Sequence, residues 1–210
     1  MLNNSSPPLM KNLHVQKYLA EVLGAFALTL AVWLSIGFTM PLATPVAAAL
    51  VLGLFVYTVG HVSGAHLNPA VTLGLMSVKK ISVQDGLLYI ISQCVGGVAA
   101  MVLGRLVTGE VVRVTATTSL NVGLAEAVGA FILAFGVCSV VYKKVQPATS
   151  GLVIGGSLLL GIYLASAMSN GVINPAVAIG IGSLNVMYIL GPLLGGILGA
   201  QAFKYLSEEK

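Results

Sequence analysis

Charge is what this sequence has least of. Of its 210 residues only 8% are Asp, Glu, Lys or Arg, while 57% are hydrophobic; soluble domains carry about 25% charged residues. So few charges cannot cover a water-soluble globule of this length. A soluble enzyme and a nucleic-acid binder are excluded, and an integral membrane protein is expected, with the lipid bilayer as its partner. The net charge of +4 marks no nucleic-acid patch, because the ten basic residues are scattered between apolar blocks. Cysteine is also scarce. Cys94 and Cys138 lie in apolar runs, where a thiol behaves as a small hydrophobe, so no disulfide framework is expected. Histidine is equally sparse. His14, His61 and His66 give no i, i+4 pair beside an acid and no nucleophile–base arrangement. The expectation is a non-enzyme with no cofactor and no metal.

What is abundant is apolar length. A helical span needs about 20 mostly apolar residues, and six candidates fall at roughly 18–38, 44–60, 84–107, 122–142, 150–168 and 186–206. The first is not read as a cleaved signal peptide: it carries Glu21, lacks a clear cleavage site and is followed by five more spans. The 25 glycines suit close helix packing in lipid. Residues 1–12 are polar and Pro-containing, and a loose segment is expected there. Lys11, Lys17, Lys79, Lys80, Lys143, Lys144, Lys204 and Lys210 fall on one side of a six-span chain, and only Arg105 and Arg113 on the other. This bias predicts a multi-pass cell-membrane protein with both termini cytoplasmic. The connecting loops are short.

The chain also repeats itself. Ala20-Glu21-Val22-Leu23-Gly24-Ala25-Phe26 matches Ala125-Glu126-Ala127-Val128-Gly129-Ala130-Phe131, and Asn68-Pro69-Ala70-Val71 matches Asn174-Pro175-Ala176-Val177. Tyr89-Ile90 followed by Gly96-Gly97 matches Tyr188-Ile189 followed by Gly195-Gly196. Each half holds three spans, an odd number, so the second half enters the membrane from the opposite side. The prediction is an inverted repeat, about 15–108 and 120–207, within one transmembrane domain, 1–210.

Each repeat leaves one segment too short to span, 61–78 and 167–183. Asn is a favoured N-cap and Pro a favoured first helical residue, so helices are predicted at 69–77 and 175–182. Nine residues at about 1.5 Å each give ~13 Å, close to half of a ~30 Å hydrocarbon core. Two half-helices entering from opposite faces would meet at the midplane, amino ends facing. The extended stretches before them are tolerable only where they line a watery path. Asn68 and Asn174 would then offer amide donors where two positive helix ends converge. Carbonyls of Gly64, Ala65, His66 and Leu67, and of Asn170, Gly171, Val172 and Ile173, would form acceptor ladders. Glu21 and Glu126, one per repeat, are intramembrane acids; they read either as a proton relay or as braces for backbone N–H groups of the re-entrant stretches. His61 and His66 could line the path and sense pH, or simply bond nearby backbone.

From Glu21 to Gly196 these features resemble the aquaporin (major intrinsic protein) family, whose mark is a pair of Asn-Pro-Ala triplets, here Asn68-Pro69-Ala70 and Asn174-Pro175-Ala176. The resemblance implies an all-α membrane fold of six tilted transmembrane helices plus two re-entrant half-helices, usually a homotetramer with one pore per subunit. It also implies the bracing role for Glu21 and Glu126. In the family an Arg usually follows the second triplet; here that place is Val177, and the Asp typical of glycerol facilitators is missing too. The remaining constriction positions fall at Ala48, Gly171 and either Ile162 or Tyr163. A mouth of small, apolar, uncharged side chains predicts passage of neutral solutes larger than water, such as glycerol, urea-like molecules or metalloid acids. A purely apolar ring would instead obstruct water by dewetting. The leading expectation is a passive channel for water and small uncharged solutes. The competing ones are a proton-coupled secondary transporter using an intramembrane Glu and, less in keeping with the short loops, a non-conducting junction protein.

Overall fold

The structure is a computed structural model and describes residues 15–115 and 117–207. The segment 1–12, His14, Lys11 and Lys210 lie outside the described residues. Among the described residues there are eight α-helices and no strand: α1 (Val15–Gly37), α2 (Thr44–Ser63), α3 (Pro69–Ser77), α4 (Val83–Thr108), α5 (Leu120–Val141), α6 (Ser150–Ala165, preceded by a 3-10 turn Pro147–Thr149), α7 (Pro175–Gly180) and α8 (Met187–Ser207). Six are long and apolar enough to cross a membrane, α6 with its leading turn counted in. The chain is thus an all-helical, multi-span membrane protein.

Local chemistry sets the helix ends. Ser82 accepts from the Asp85 amide at the start of α4, and Ser119 from the Val122 amide at the start of α5. Gly64 and Gly109 close α2 and α4 in the left-handed region, at φ 88° and 73°. Several boundaries differ from the sequence reading by two or three residues: α1 begins at Val15 rather than 18, and α2 runs on to Ser63 rather than 60. The fifth span stops at Ala165 rather than 168, because the chain tightens into turns that carry Ser169 toward α5. The second half-helix stops at Gly180 rather than 182, where Gly182 takes φ 69° and turns the chain away.

Packing follows a two-fold pattern. α1 packs on α4 as α5 packs on α8; α1 meets α2 as α5 meets α6; and α2 meets α6 across the middle. The half-helices are exchanged: α3 packs on α8, and α7 on α4. The paired glycines of α4 and α8 make that exchange possible. Gly96 lies against the Val22 carbonyl and Gly195 against the Ala127 carbonyl, while Gly97 and Gly196 lie against the Ala176 and Ala70 carbonyls of the half-helices. A β-carbon at any of the four would collide with backbone.

Candidate functional site

The two re-entrant stretches are built to one plan. In an extended chain carbonyls alternate sides; here Ala65 and Leu67 (φ 49° and 50°), and Gly171 and Ile173 (φ 61° and 44°), break that alternation. Left-handed backbone in Leu and Ile costs about 1–3 kcal/mol each and needs support. The two acids supply it. Glu21, fully buried, accepts from the amides of His66 (3.0 Å) and Leu67 (2.7 Å) and from the Ser63 hydroxyl (2.7 Å). Glu126, also fully buried, accepts from the amides of Val172 (3.0 Å) and Ile173 and from the Ser169 hydroxyl (2.7 Å). Ser63 and Ser169 in turn accept from the amides of Ala65 and Gly171, each at 3.0 Å. Three residues after each acid, on the same helix face, stands a glycine: Gly24 receives the Leu67 side chain and Gly129 that of Ile173. The repeated Glu-x-x-Gly is therefore a seat for the residue before each Asn.

Both Asn residues cap their own helix and bridge to the other. Asn68 Oδ1 accepts from the Ala70 amide (2.8 Å) and its Nδ2 donates to the Ile173 carbonyl (3.0 Å). Asn174 Oδ1 accepts from the amides of Ala176 (3.0 Å) and Val177 (3.4 Å), and its Nδ2 donates to the Leu67 carbonyl (3.0 Å). Pro69 and Pro175 open the two helices. The half-helices thus meet amino end to amino end. The carbonyls of Leu67 and Ile173, expected on the acceptor ladders, are each engaged by the opposite Asn. Those of Gly64, Ala65, His66, Asn170, Gly171 and Val172 bond to no protein donor among the described residues.

Above Asn174, toward the end of the bundle that carries Arg105 and Arg113, lies a cavity of about 330 Å³. Ala48, Ile162, Gly171 and Val177 all line it, with Leu28 and Val32 on its apolar wall. Tyr163, the alternative to Ile162, is 73% exposed and turned to the outside of the bundle. Residues 109–119 are more than a connector. Val114 lines the cavity and its amide donates to the Ile181 carbonyl (3.1 Å), while Asn170 Nδ2 donates to the Thr115 carbonyl (2.8 Å). Nothing in the residue types of that loop signals this.

Some site residues escape the sequence reading. Tyr89 donates to the Ser63 carbonyl (2.9 Å), and the Tyr188 hydroxyl accepts from the Asn170 amide (3.0 Å). Gln93 donates to Glu21 (2.7 Å) and Thr72 (2.9 Å), and the matching place in α8 holds Pro192. The signal for Ser63 and Ser169 is their identical place, five residues before each Asn. His66 is buried, with Nδ1 3.1 Å from Thr72 Oγ1 and its ring edge-on to Tyr89; His61 is exposed on α2. Cys94 and Cys138 are unpaired, and no cluster of three metal-ligating side chains occurs among the described residues.

Six apolar helices wrapped around two half-length helices that meet end to end define a membrane protein with a broken-helix centre. The comparisons agree with that class. A family model described as Major intrinsic protein matches residues 9–205. Aquaporin Z of Rhodopseudomonas palustris is 30% identical over 230 aligned positions, covering 94% of this chain and 95% of its own. Aquaporin TIP4-1 of Zea mays is 34% identical over 189, covering 81% and 73%. The solved aquaglyceroporin of Plasmodium falciparum superposes with a TM-score of 0.72 at 19% identity, covering 91% of this chain and 94% of its own, a likeness of fold. The chain belongs to the major intrinsic protein family, a family of membrane channels for water and small solutes rather than of enzymes.

Proposed function

We propose that the protein is a passive channel for water and small uncharged solutes, glycerol, urea-like molecules and metalloid acids among them. The path runs past Asn68 and Asn174, with Ala48, Ile162, Gly171 and Val177 as its constriction. The observation that carries this reading is the reciprocal bonding of Asn68 to Ile173 and of Asn174 to Leu67, which brings two helix amino ends to one point beside a cavity. Each amide keeps a second hydrogen for a passing solute, and the converging positive ends disfavour cations. Glu21 and Glu126 are braces in this reading. Their engagement by backbone amides leaves the proton-coupled alternative without a relay. The chain forms one domain of two repeats, sits with both termini cytoplasmic as its lysines direct, and assembles as the homotetramer its family implies.

In proteoliposomes, stopped-flow light scattering should record faster shrinkage in sorbitol and faster re-swelling in glycerol than in protein-free vesicles. Absence of both accelerations, or accumulation of solute driven by a pH gradient, would overturn the proposal.

A further inference from the structure

The cavity above Asn174 is unusual in which hydrogen-bonding partners it withholds. The backbone N–H groups of residues 170–173, along its wall, are already bonded away from it. Asn170 N–H donates to Tyr188 and Gly171 N–H to Ser169, while Val172 and Ile173 N–H donate to Glu126. The Val177 amide goes to Asn174 Oδ1. The one hydroxyl next to the constriction, Ser166, donates to the Ile162 carbonyl (2.7 Å). The side chains of Ala48, Ile162, Gly171 and Val177 have no polar atom. By contrast, the carbonyls of Asn170, Gly171 and Val172 remain open on residues that line the space. Donors return only at the rim, from Thr44 and the second amide hydrogen of Asn170, and at the floor, from Asn174.

We infer that this constriction selects solutes by donor count: it is an acceptor-only band that passes neutral molecules able to donate hydrogen bonds and retards isosteres that can only accept. The inference rests on the proposed permeation path and names the chemistry that path favours. A solute entering the band sheds water on both sides. One bearing O–H or N–H groups regains bonds to the carbonyls. One bearing only acceptors faces apolar side chains and carbonyl oxygens, and its own oxygens stay unpaired. An Arg at position 177 would supply donors and abolish the asymmetry; Val177 leaves it intact.

The test uses an isosteric pair, sulfamide and dimethyl sulfone, which share an O=S=O core and differ by NH₂ against CH₃. In proteoliposomes of the full chain, protein-dependent sulfamide flux should exceed that of dimethyl sulfone by about tenfold, the factor expected for loss of one hydrogen bond of ordinary net strength. Val177→Thr, nearly isosteric but bearing a hydroxyl, should narrow that ratio to about threefold or less. Val177→Arg should narrow it further as total flux falls. Equal wild-type fluxes for the pair overturn the inference, as does exclusion of sulfamide by vesicles that pass glycerol. Vesicles that pass neither water nor glycerol instead overturn the channel reading beneath it. An unchanged ratio in both variants, with water flux retained, shows that the band lies elsewhere and sinks the assignment.

Discussion

At the scale of single residues, the two buried acids hold the most. Each anchors two amides of a strained stretch whose left-handed residues would otherwise relax. Replacing Glu126 by Ala strands the amides of Val172 and Ile173 in a dry interior. The expected cost is about 2–4 kcal/mol, read as a lower unfolding midpoint in detergent. Glu126→Gln keeps an acceptor and should lose less. Glu110→Gln, on an exposed loop residue, should stay within about 0.5 kcal/mol of the parent. Much of this was legible beforehand: an acid inside an apolar span has few uses, and its recurrence one repeat later points to a shared structural task. The partners were less so. Which amides a carboxylate meets depends on the path of a stretch with no periodic pattern, and the single copy of Gln93, facing Pro192 in the other half, leaves no repeat to notice.

At the scale of elements, the Asn-Pro starts of α3 and α7 are written in the sequence because capping is local chemistry. The end of α7 is not, since Ile179 and Ile181 are as apolar as what precedes them and tertiary turning at Gly182 decides the stop. The roles of the Gly-Gly pairs needed the structure as well: glycine marks a close approach without naming what approaches. Gly97 and Gly196 meet the backbone of the opposite repeat's half-helix. Gly196→Val should therefore cost upwards of about 3 kcal/mol, since the obstacle is main chain rather than a flexible side chain. It should also reduce water flux per folded protein by displacing Ala70. Gly156, with open space where its β-carbon would be, gives the contrast. Gly156→Ala should stabilise α6 by up to about 1 kcal/mol and leave flux unchanged. Paired melting curves and osmotic shrinkage rates check both.

For the whole molecule, the proposed permeation path depends on how loosely its mouth is filled. Ala48 and Gly171 leave room, and Val177 contributes no charge. Val177→Arg should lower glycerol flux at least about tenfold while reducing water flux severalfold less, because a long cation narrows the opening for the larger solute first. Unchanged glycerol flux in that variant, measured in the same vesicles as water, would place the narrowest point away from Ala48, Ile162, Gly171 and Val177.

The exchange of half-helices between repeats also has a consequence in time. As the ribosome delivers the chain, α3 emerges long before α8, the element it rests on, and α7 docks backward onto an α4 already inserted. The first three spans can thread the bilayer, yet their re-entrant loop has no bed until the last helix arrives. Biogenesis should therefore finish in one late, concerted step. Stopping synthesis after residue 186 should leave the first dipping segment, which rests on α8, accessible to cysteine-directed reagents. Co-expressing fragments 1–118 and 119–210 should restore protection, because each half carries the cradle that the other one needs.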